Sequence, residues 1–431
     1  MDKRRSYESR IVTAEEAVRQ IKSGDRIFLT GNCSVPQKTL AALVDYAPEL
    51  SDVEICQALT VGPADYVNPE MESHLRVNTM FISANVRKAV HEGRADFTPV
   101  LLSEFPLLFK RGILPLDVAM IHVSPPDEHG FCSLGIEVGL TKSAAEAAKI
   151  IIAEINQKMP RTLGDSFIHV SKLDYIVPVD YPLPELVMGS EGHSEVVEKI
   201  ASNIAELIPD GATMQMGIGA IPDAVLKFLY EKKDLGIHTE LFSDGVIDLV
   251  DAGVLTNARK TLHAGKILAG FVIGSERLYQ WVDDNPLIEL HPTEHVNDPF
   301  VIAQNDRMVA INSAIEIDLT GQVCADSIGP KLFSGVGGQL DFIYGASRSK
   351  GGVPIIALPS TAKEFSRIVA MLKPGAGVVT TRNHVRYVVT EYGIADLYGK
   401  TIRQRATSLI NIAHPKFRDE LKRQARELHY I

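Results

Sequence analysis

A chain of 431 residues is too long for one hydrophobic core and points to two domains. With 45% hydrophobic and 23% charged residues, and no apolar run near the roughly 18 residues of a membrane helix, the sequence reads as a globular protein with a substantial core. A formal net charge of −10 speaks against a general nucleic-acid binder, which needs a basic surface to displace counterions, but leaves room for a local basic pocket.

The opening Met1-Asp-Lys-Arg-Arg-Ser6 leads toward a helical pattern rather than an apolar stretch, so no signal peptide is expected and the expected location is cytoplasmic. Thr13 and Glu16 have capping-box spacing ahead of a short helix that Gly24 closes. Arg26 to Thr30 is a predicted strand and Gly31 to Val35 a loop. Pro36 stands where a helix with apolar Leu40, Leu43 and Val44 begins. Strands and helices then alternate, the pattern of an α/β fold with largely parallel sheets. Cys33, Cys56, Cys132 and Cys324 are scattered without a Cys-x-x-Cys pair, which excludes a disulfide framework and a zinc site and fits buried small apolar residues.

The first unit recurs. Thr213 to Met216 is strand-like, Gly217 to Ile221 is a loop, and Pro222 opens a helix carrying Leu226 and Leu229. A shift of 186 residues aligns Pro36 with Pro222, Gly31 with Gly217, Leu40 with Leu226 and Leu43 with Leu229; carried further, it pairs Glu54 with Glu240. Two related open α/β domains are therefore expected, with a site in the cleft between them. The Pro- and Gly-containing stretch from Asp180 to Gly192 is the predicted linker, giving domains of 1–185 and 186–431. Downstream, Ser194 to Leu207 has helical periodicity, Ile267 to Ile273 and Val353 to Leu358 read as buried strands, and Arg403 to Leu428 is a charged helical region broken at Pro415.

Three constellations can carry chemistry. Gly217-Ile-Gly-Ala-Ile221 lies where a strand hands over to a helix, so it is either a tight turn or a place where backbone N–H groups approach an oxygen or phosphate. Pro222 stands where a dinucleotide fingerprint needs glycine, and no Gly-Lys-Ser/Thr follows, so neither a Rossmann NAD site nor a P-loop fits. Gly236-Ile-His-Thr-Glu240-Leu-Phe-Ser-Asp-Gly245 ends a strand in a polar cluster. Spacing alone leaves Glu240 open between a site carboxylate at the sheet's carboxyl edge and a surface acid, with Asp244 as a candidate helix cap. His238 reads as a packing or hydrogen-bonding residue, and Glu54 as ordinary. Ser334-Gly-Val-Gly-Gly-Gln339 places three glycines in four residues, costly unless the backbone must bend or lie against a ligand. Asp127 and His129, in Ser124-Pro-Pro-Asp-Glu-His-Gly130, fit a structural loop better than an acid/base pair. Arg348, Lys350, Lys363 and Arg367 are the candidate phosphate partners, with solvated surface charge as the alternative.

Together these stretches, with Ile302-Ala-Gln-Asn-Asp306 and Val389-Thr-Glu-Tyr-Gly-Ile-Ala395, resemble the acetyl-CoA hydrolase/transferase family within the class I CoA-transferases, closest to the 4-hydroxybutyrate and butyrate:acetate CoA-transferases. The resemblance implies a nucleophilic glutamate in His-Thr-Glu, here Glu240, in the C-terminal domain. It implies CoA contacts from Gly217, Ile218, Gly219, Ala220 and Ile221, from Gly337 and Gly338, and from Lys363. It also implies exchange of CoA between an acyl-CoA, expected to be acetyl-CoA, and a short-chain acid through a glutamyl-CoA thioester. The CoA thioester is then a substrate, with no tightly bound cofactor or metal, and neither nucleic acid nor membrane is an expected partner. A homo-oligomer is expected. The rival activities are an acyl-CoA hydrolase and, more remotely, a non-catalytic small-molecule sensor, which would carry a DNA-binding segment that this sequence lacks. One departure stands out: the family pattern has Gly-Thr before Ser-Arg-Ile, whereas Lys363-Glu-Phe-Ser-Arg-Ile368 is shorter, which bears on pocket shape and acyl preference.

Overall fold

A computed structural model describes residues 7–186, 194–217 and 219–431. The opening six residues, the 187–192 part of the predicted linker, and Ile218 lie outside the described residues. The chain forms two compact units. The first holds the chain up to Leu186 together with Leu268–Val296; the second holds the stretch ending at Ile267 together with Asn297–Ile431.

The first unit is built on a seven-stranded sheet of β1 (Arg26–Leu29), β2 (Val53–Gln57), β3 (Leu75–Thr79), β4 (Asp96–Phe97), β5 (Val118–Val123), β6 (Ile150–Asn156) and β7 (Tyr175–Val179), in the order β4-β3-β2-β1-β5-β6-β7. Every neighbouring pair is parallel. β5 is buried at every position, as strands of parallel sheets are, and so shows no two-residue alternation. The Thr13–Glu16 capping box is formed in both directions, around a helix of Ala14–Val18. All four cysteines are buried and unbridged.

The second unit has a six-stranded sheet of β8 (Thr213–Met216), β9 (Gly236–Ile237), β10 (Met308–Ser313), β11 (Val353–Ala357), β12 (Tyr387–Thr390) and β13 (Gly393–Asp396), in the order β9-β8-β10-β11-β12-β13. Only the β12–β13 pair is antiparallel. The amphipathic helix Glu195–Leu207 starts at Ser194, whose side chain accepts the Val197 N–H, and the C-terminal region divides into Ile402–Ile412 and Pro415–Glu427 as its proline dictates. The predicted strand over 267–273 is instead two pieces, Ile267–Ala269 and Phe271–Val272. The break falls at Gly270, whose carbonyl turns to accept the N–H groups of Val138 and Gly139. Among the described residues no helix is long and apolar enough to cross a membrane.

The run β2-β1-β5-β6-β7 of the first sheet matches β9-β8-β10-β11-β12 of the second, so the repeat read from the sequence is one of topology as well. The sheet register corrects one detail. Ile27 pairs with Ile55, and its counterpart Thr213 pairs with Gly236. Four residues beyond those partners stand Leu59 and Glu240. The counterpart of Glu240 is therefore Leu59 and not Glu54, because the second unit has a shorter connection between its two strands. Glu54 lies inside β2, bonded to Arg26 at 2.7 Å and to Asn78 at 2.8 Å, an ordinary ion-paired strand residue.

Candidate active site

In the second unit the chain leaves β8 for β9 on one side of the sheet and continues through β10, β11 and β12 on the other, so β8 and β10 flank a topological switch point. Ligands of open α/β sheets bind beyond the carboxyl ends of the strands at such a point. Met216 ends β8 there and Gly217 follows it, Glu240 follows β9, and Ser313 ends β10 with Ala314 next.

Thr239 fastens this edge together. Its hydroxyl lies 3.0 Å from the Met216 carbonyl and 2.9 Å from that of Leu241, so the start of the glycine loop and the residue before Glu240 move as one piece. His238 is fully buried. Its Nδ1 lies 2.9 Å from Asn305 Nδ2, while Asn305 Oδ1 accepts the Leu262 N–H at 3.3 Å. The ring meets Phe342 edge-on, with centroids 6.1 Å apart. His238 is thus a packing and hydrogen-bonding residue, as its sequence context suggests, and the Ile302-Ala-Gln-Asn-Asp306 motif supplies its partner.

Glu240 is partly exposed at its surface but closely surrounded by protein. Asn297 Nδ2 lies 3.2 Å from its Oε2, and the Gly338 backbone N–H also serves the carboxylate. Burial pushes the carboxyl up to about 7, against these two donors, which favour the charged form. Gly338 explains part of the glycine density in Ser334–Gln339: a Cβ there would collide with both Glu240 Oε2 and Asn297 Nδ2. Its neighbour Gly337 has φ +56°, a left-handed conformation that glycine adopts without strain. Gln339 locks this turn to the sheet, donating to the Ser313 carbonyl at 2.7 Å and accepting from Thr380 at 3.0 Å.

Gly219 has φ +120° and starts the helix Ala220–Lys227; among the described residues nothing lies within 4 Å of a Cβ built on it or on Gly217, so the backbone at these two glycines is open. The first unit makes an instructive contrast, since a Cβ on Gly31, the counterpart of Gly217, would strike the Leu59 carbonyl, which already accepts the Asn32 N–H at 2.6 Å. Asp223, on the first turn of the 220–227 helix, is pushed up to about 6 by burial and then by nearby Asp244, with Lys227 opposing. Two acids at this helix start disfavour a phosphate there, despite the helix dipole. Asp244 stands at the N-cap position of Gly245–Asp251 but makes no side-chain cap bond.

Lys363 occupies the exposed turn of a small hairpin, Thr361–Ala362 with Phe365–Ser366, at φ +53°. A lysine in this region is strained by about 1–2 kcal/mol. The Ser124–Gly130 stretch is a structural loop: Asp127 Oδ1 accepts the N–H groups of His129 and Phe131, both at 2.9 Å. The structure therefore brings together Glu240, Gly338 and the loop beside Met216, and leaves Lys363 on the surface. Sequence reasoning gave no role to Asn297, Thr239 or Gln339. Asn297-Asp-Pro reads as a turn before a helix, and no spacing announces that its amide faces a carboxylate nearly sixty residues earlier.

Two family models match the chain, the acetyl-CoA hydrolase/transferase N-terminal domain over residues 1–184 and the C-terminal domain over 274–425. The chain belongs to the acetyl-CoA hydrolase/transferase family. It is an enzyme of the class I CoA-transferase type, with a CoA thioester as substrate. It is 52% identical to the 4-hydroxybutyrate coenzyme A transferase of Clostridium kluyveri over 96% of this chain and 97% of that one. It is 49% identical to a succinyl-CoA:acetate/propanoyl-CoA:succinate CoA transferase of Fasciola hepatica over 94% and 85%. Among solved structures, a 4-hydroxybutyrate CoA-transferase of Porphyromonas gingivalis superposes with a TM-score of 0.85 at 41% identity, covering 98% of each chain.

For this CoA-transferase the environment of Glu240 predicts a pH profile. If Glu240 is the nucleophile that the family resemblance implies, its carboxyl, held near 7, has to lose its proton before attack. We expect kcat/KM for acyl-CoA to fall about tenfold per unit below pH 7 and to level off above it. Asn297→Leu removes a donor to the charged form, so its acid limb should move to higher pH. Stopped-flow profiles of both proteins check this; an unmoved limb would show that Asn297 does not act on the titrating group.

Proposed function

We propose that this enzyme moves CoA from acetyl-CoA to a short-chain acid such as 4-hydroxybutyrate or butyrate, with Glu240 as covalent carrier. The observation that carries the reading is a lone, closely surrounded carboxylate at the sheet's switch point, facing a backbone amide at a glycine turn. Glu240 attacks the thioester carbonyl and expels CoA as thiolate, leaving a mixed anhydride between Glu240 and the acyl group. The thiolate attacks the Glu240 carbonyl, forming a glutamyl-CoA thioester and freeing the first acid. The second acid runs the sequence in reverse, and no water is consumed.

Each addition builds an oxyanion, and a pre-aimed amide donor contributes about 3–4 kcal/mol to such a step. Gly338 is the donor we assign. The open loop of Gly217, Gly219, Ala220 and Ile221 takes the uncharged pantetheine arm, since Asp223 and Asp244 disfavour phosphate there; Ile218 belongs to the same proposed contact but lies outside the described residues. Lys363, on its exposed hairpin, is assigned to the CoA phosphates. Binding energy from this remote body orients the reacting carbonyl.

Transfer is favoured over hydrolysis because the histidine beside the nucleophile is buried and held by Asn305, and so is not placed to activate water. Mass spectrometry after incubation with acetyl-CoA and borohydride reduction should find the modification on the peptide containing Glu240, and steady CoA exchange should require added acid. Sustained release of free CoA without acid would identify a hydrolase instead.

A further inference from the structure

Of the four cations that the sequence offers for anion binding, Arg348, Lys350 and Lys363 are exposed, and Lys350 already faces Asp306 at 3.9 Å. Arg367 is different. Its guanidinium is half-buried; among the described residues its Nε has no hydrogen-bond partner, and its one side-chain bond is a 3.3 Å contact from Nη1 to the Ala314 carbonyl. Among the described residues no carboxylate pairs with it. Burial depresses its pKa, and no acid offsets the effect. Arg405, the comparable half-buried arginine without an acid, is satisfied by the carbonyls of Lys400, Thr320 and Arg382. Arg367 has no such set, and a buried cation left this bare is costly.

Its position is fixed from both sides. The Arg367 N–H donates to the Ser360 carbonyl at 2.9 Å, and its carbonyl accepts the Ile317 N–H at 2.9 Å. Ser360 is itself held by Glu391, through its N–H at 2.9 Å and its hydroxyl at 2.5 Å. A continuous chain of contacts runs from Glu240 to the Gly338 amide, through Gln339 to the Ser313 carbonyl, and on to Ala314 and Arg367. The guanidinium thus stands on the same carboxyl edge as the nucleophile, beyond the end of β10.

We propose that Arg367 is the receptor for an oxyanion of the substrates, either the carboxylate of the acid or a phosphate of CoA. The planar fork matches both groups and replaces the solvation that burial removed. The inference rests on the transferase reading for the identity of the ligands.

The test uses the full-length Arg367→Gln and Arg367→Lys variants, with acetate and acetyl-CoA varied separately. A rise of about tenfold or more in KM for acetate, with thioester formation at Glu240 from acetyl-CoA alone preserved, assigns the carboxylate. A comparable rise in KM for acetyl-CoA, with that for acetate unchanged, assigns the phosphate. In either case Arg367→Lys should recover part of the loss. If both constants stay within twofold of the parent, or if Lys and Gln lower kcat and thermal stability equally with no change in KM, Arg367 is structural and the proposal fails. Absence of a glutamyl thioester in the parent enzyme would instead overturn the transferase reading, and calorimetric titration of CoA into parent and Arg367→Gln proteins would still report on Arg367.

Discussion

Glu240→Gln should abolish transfer while making the folded chain more stable at alkaline pH. The amide is nearly isosteric and can still accept the Gly338 N–H, but it cannot form an anhydride or a thioester. Loss of a covalent nucleophile typically lowers kcat by a factor on the order of 10⁴–10⁶. The stability change has a definite sign. The folded-state pKa of Glu240, about 7, lies above its ordinary value of 4.5, so ionisation costs the folded state more than the unfolded one. Stability associated with this group is present in full below pH 4.5 and is lost as pH rises through 7. A neutral glutamine escapes that loss, so the variant should gain about 1–3 kcal/mol above pH 7 and nothing at pH 4. Denaturant melts at both pH values, with a transfer assay alongside, check the pair of effects. An active variant would refute the mechanism, and equal stability at pH 8 would show that the carboxylate is well solvated.

Gly338→Ala is the second large effect. The new methyl group falls where Glu240 Oε2 and Asn297 Nδ2 now sit, so the carboxylate must move or the turn must open. Overpacking of this kind costs about 1–3 kcal/mol of stability. A displacement near 1 Å at the reacting group costs about 100-fold in rate, and loss of the amide donor adds to it. We expect kcat to fall by about 100-fold or more, with KM for acetyl-CoA within about threefold if, as proposed, the body of CoA is held by the Gly217–Ile221 loop and Lys363. Burst titration of the glutamyl thioester separates a slow nucleophile from a damaged binding site. Parent-like kcat would mean that Gly338 is not packed against Glu240.

Much of this was legible in the residues. The largely parallel character of the sheets followed from the alternation of strands and helices along the chain, and the repeat from a shared strand–glycine–proline–helix grammar. The glycine cluster before a helix drew attention to the Gly337-Gly338 turn because it is costly unless used, whereas spacing left Glu240 open and only the family resemblance singled it out. What the sequence hid was three-dimensional. The shift of 186 residues holds for β1 and β8 and fails one strand later, where an unequal connection makes Leu59, and not Glu54, the counterpart of Glu240. Asn297 is invisible because a buried amide facing an acid leaves no periodicity. The isolation of Arg367 is a fact about what does not surround it, and composition can only report that an arginine exists.

The Leu59 carbonyl lying over Gly31 has a consequence for stoichiometry. The molecule contains the same scaffold twice, yet in one copy the polypeptide has plugged its own hollow, so an acid placed there by substitution would find no room to receive a thioester. Saturating turnover should therefore load one CoA per chain, never two, and a point change in the first unit would not create a second loading site.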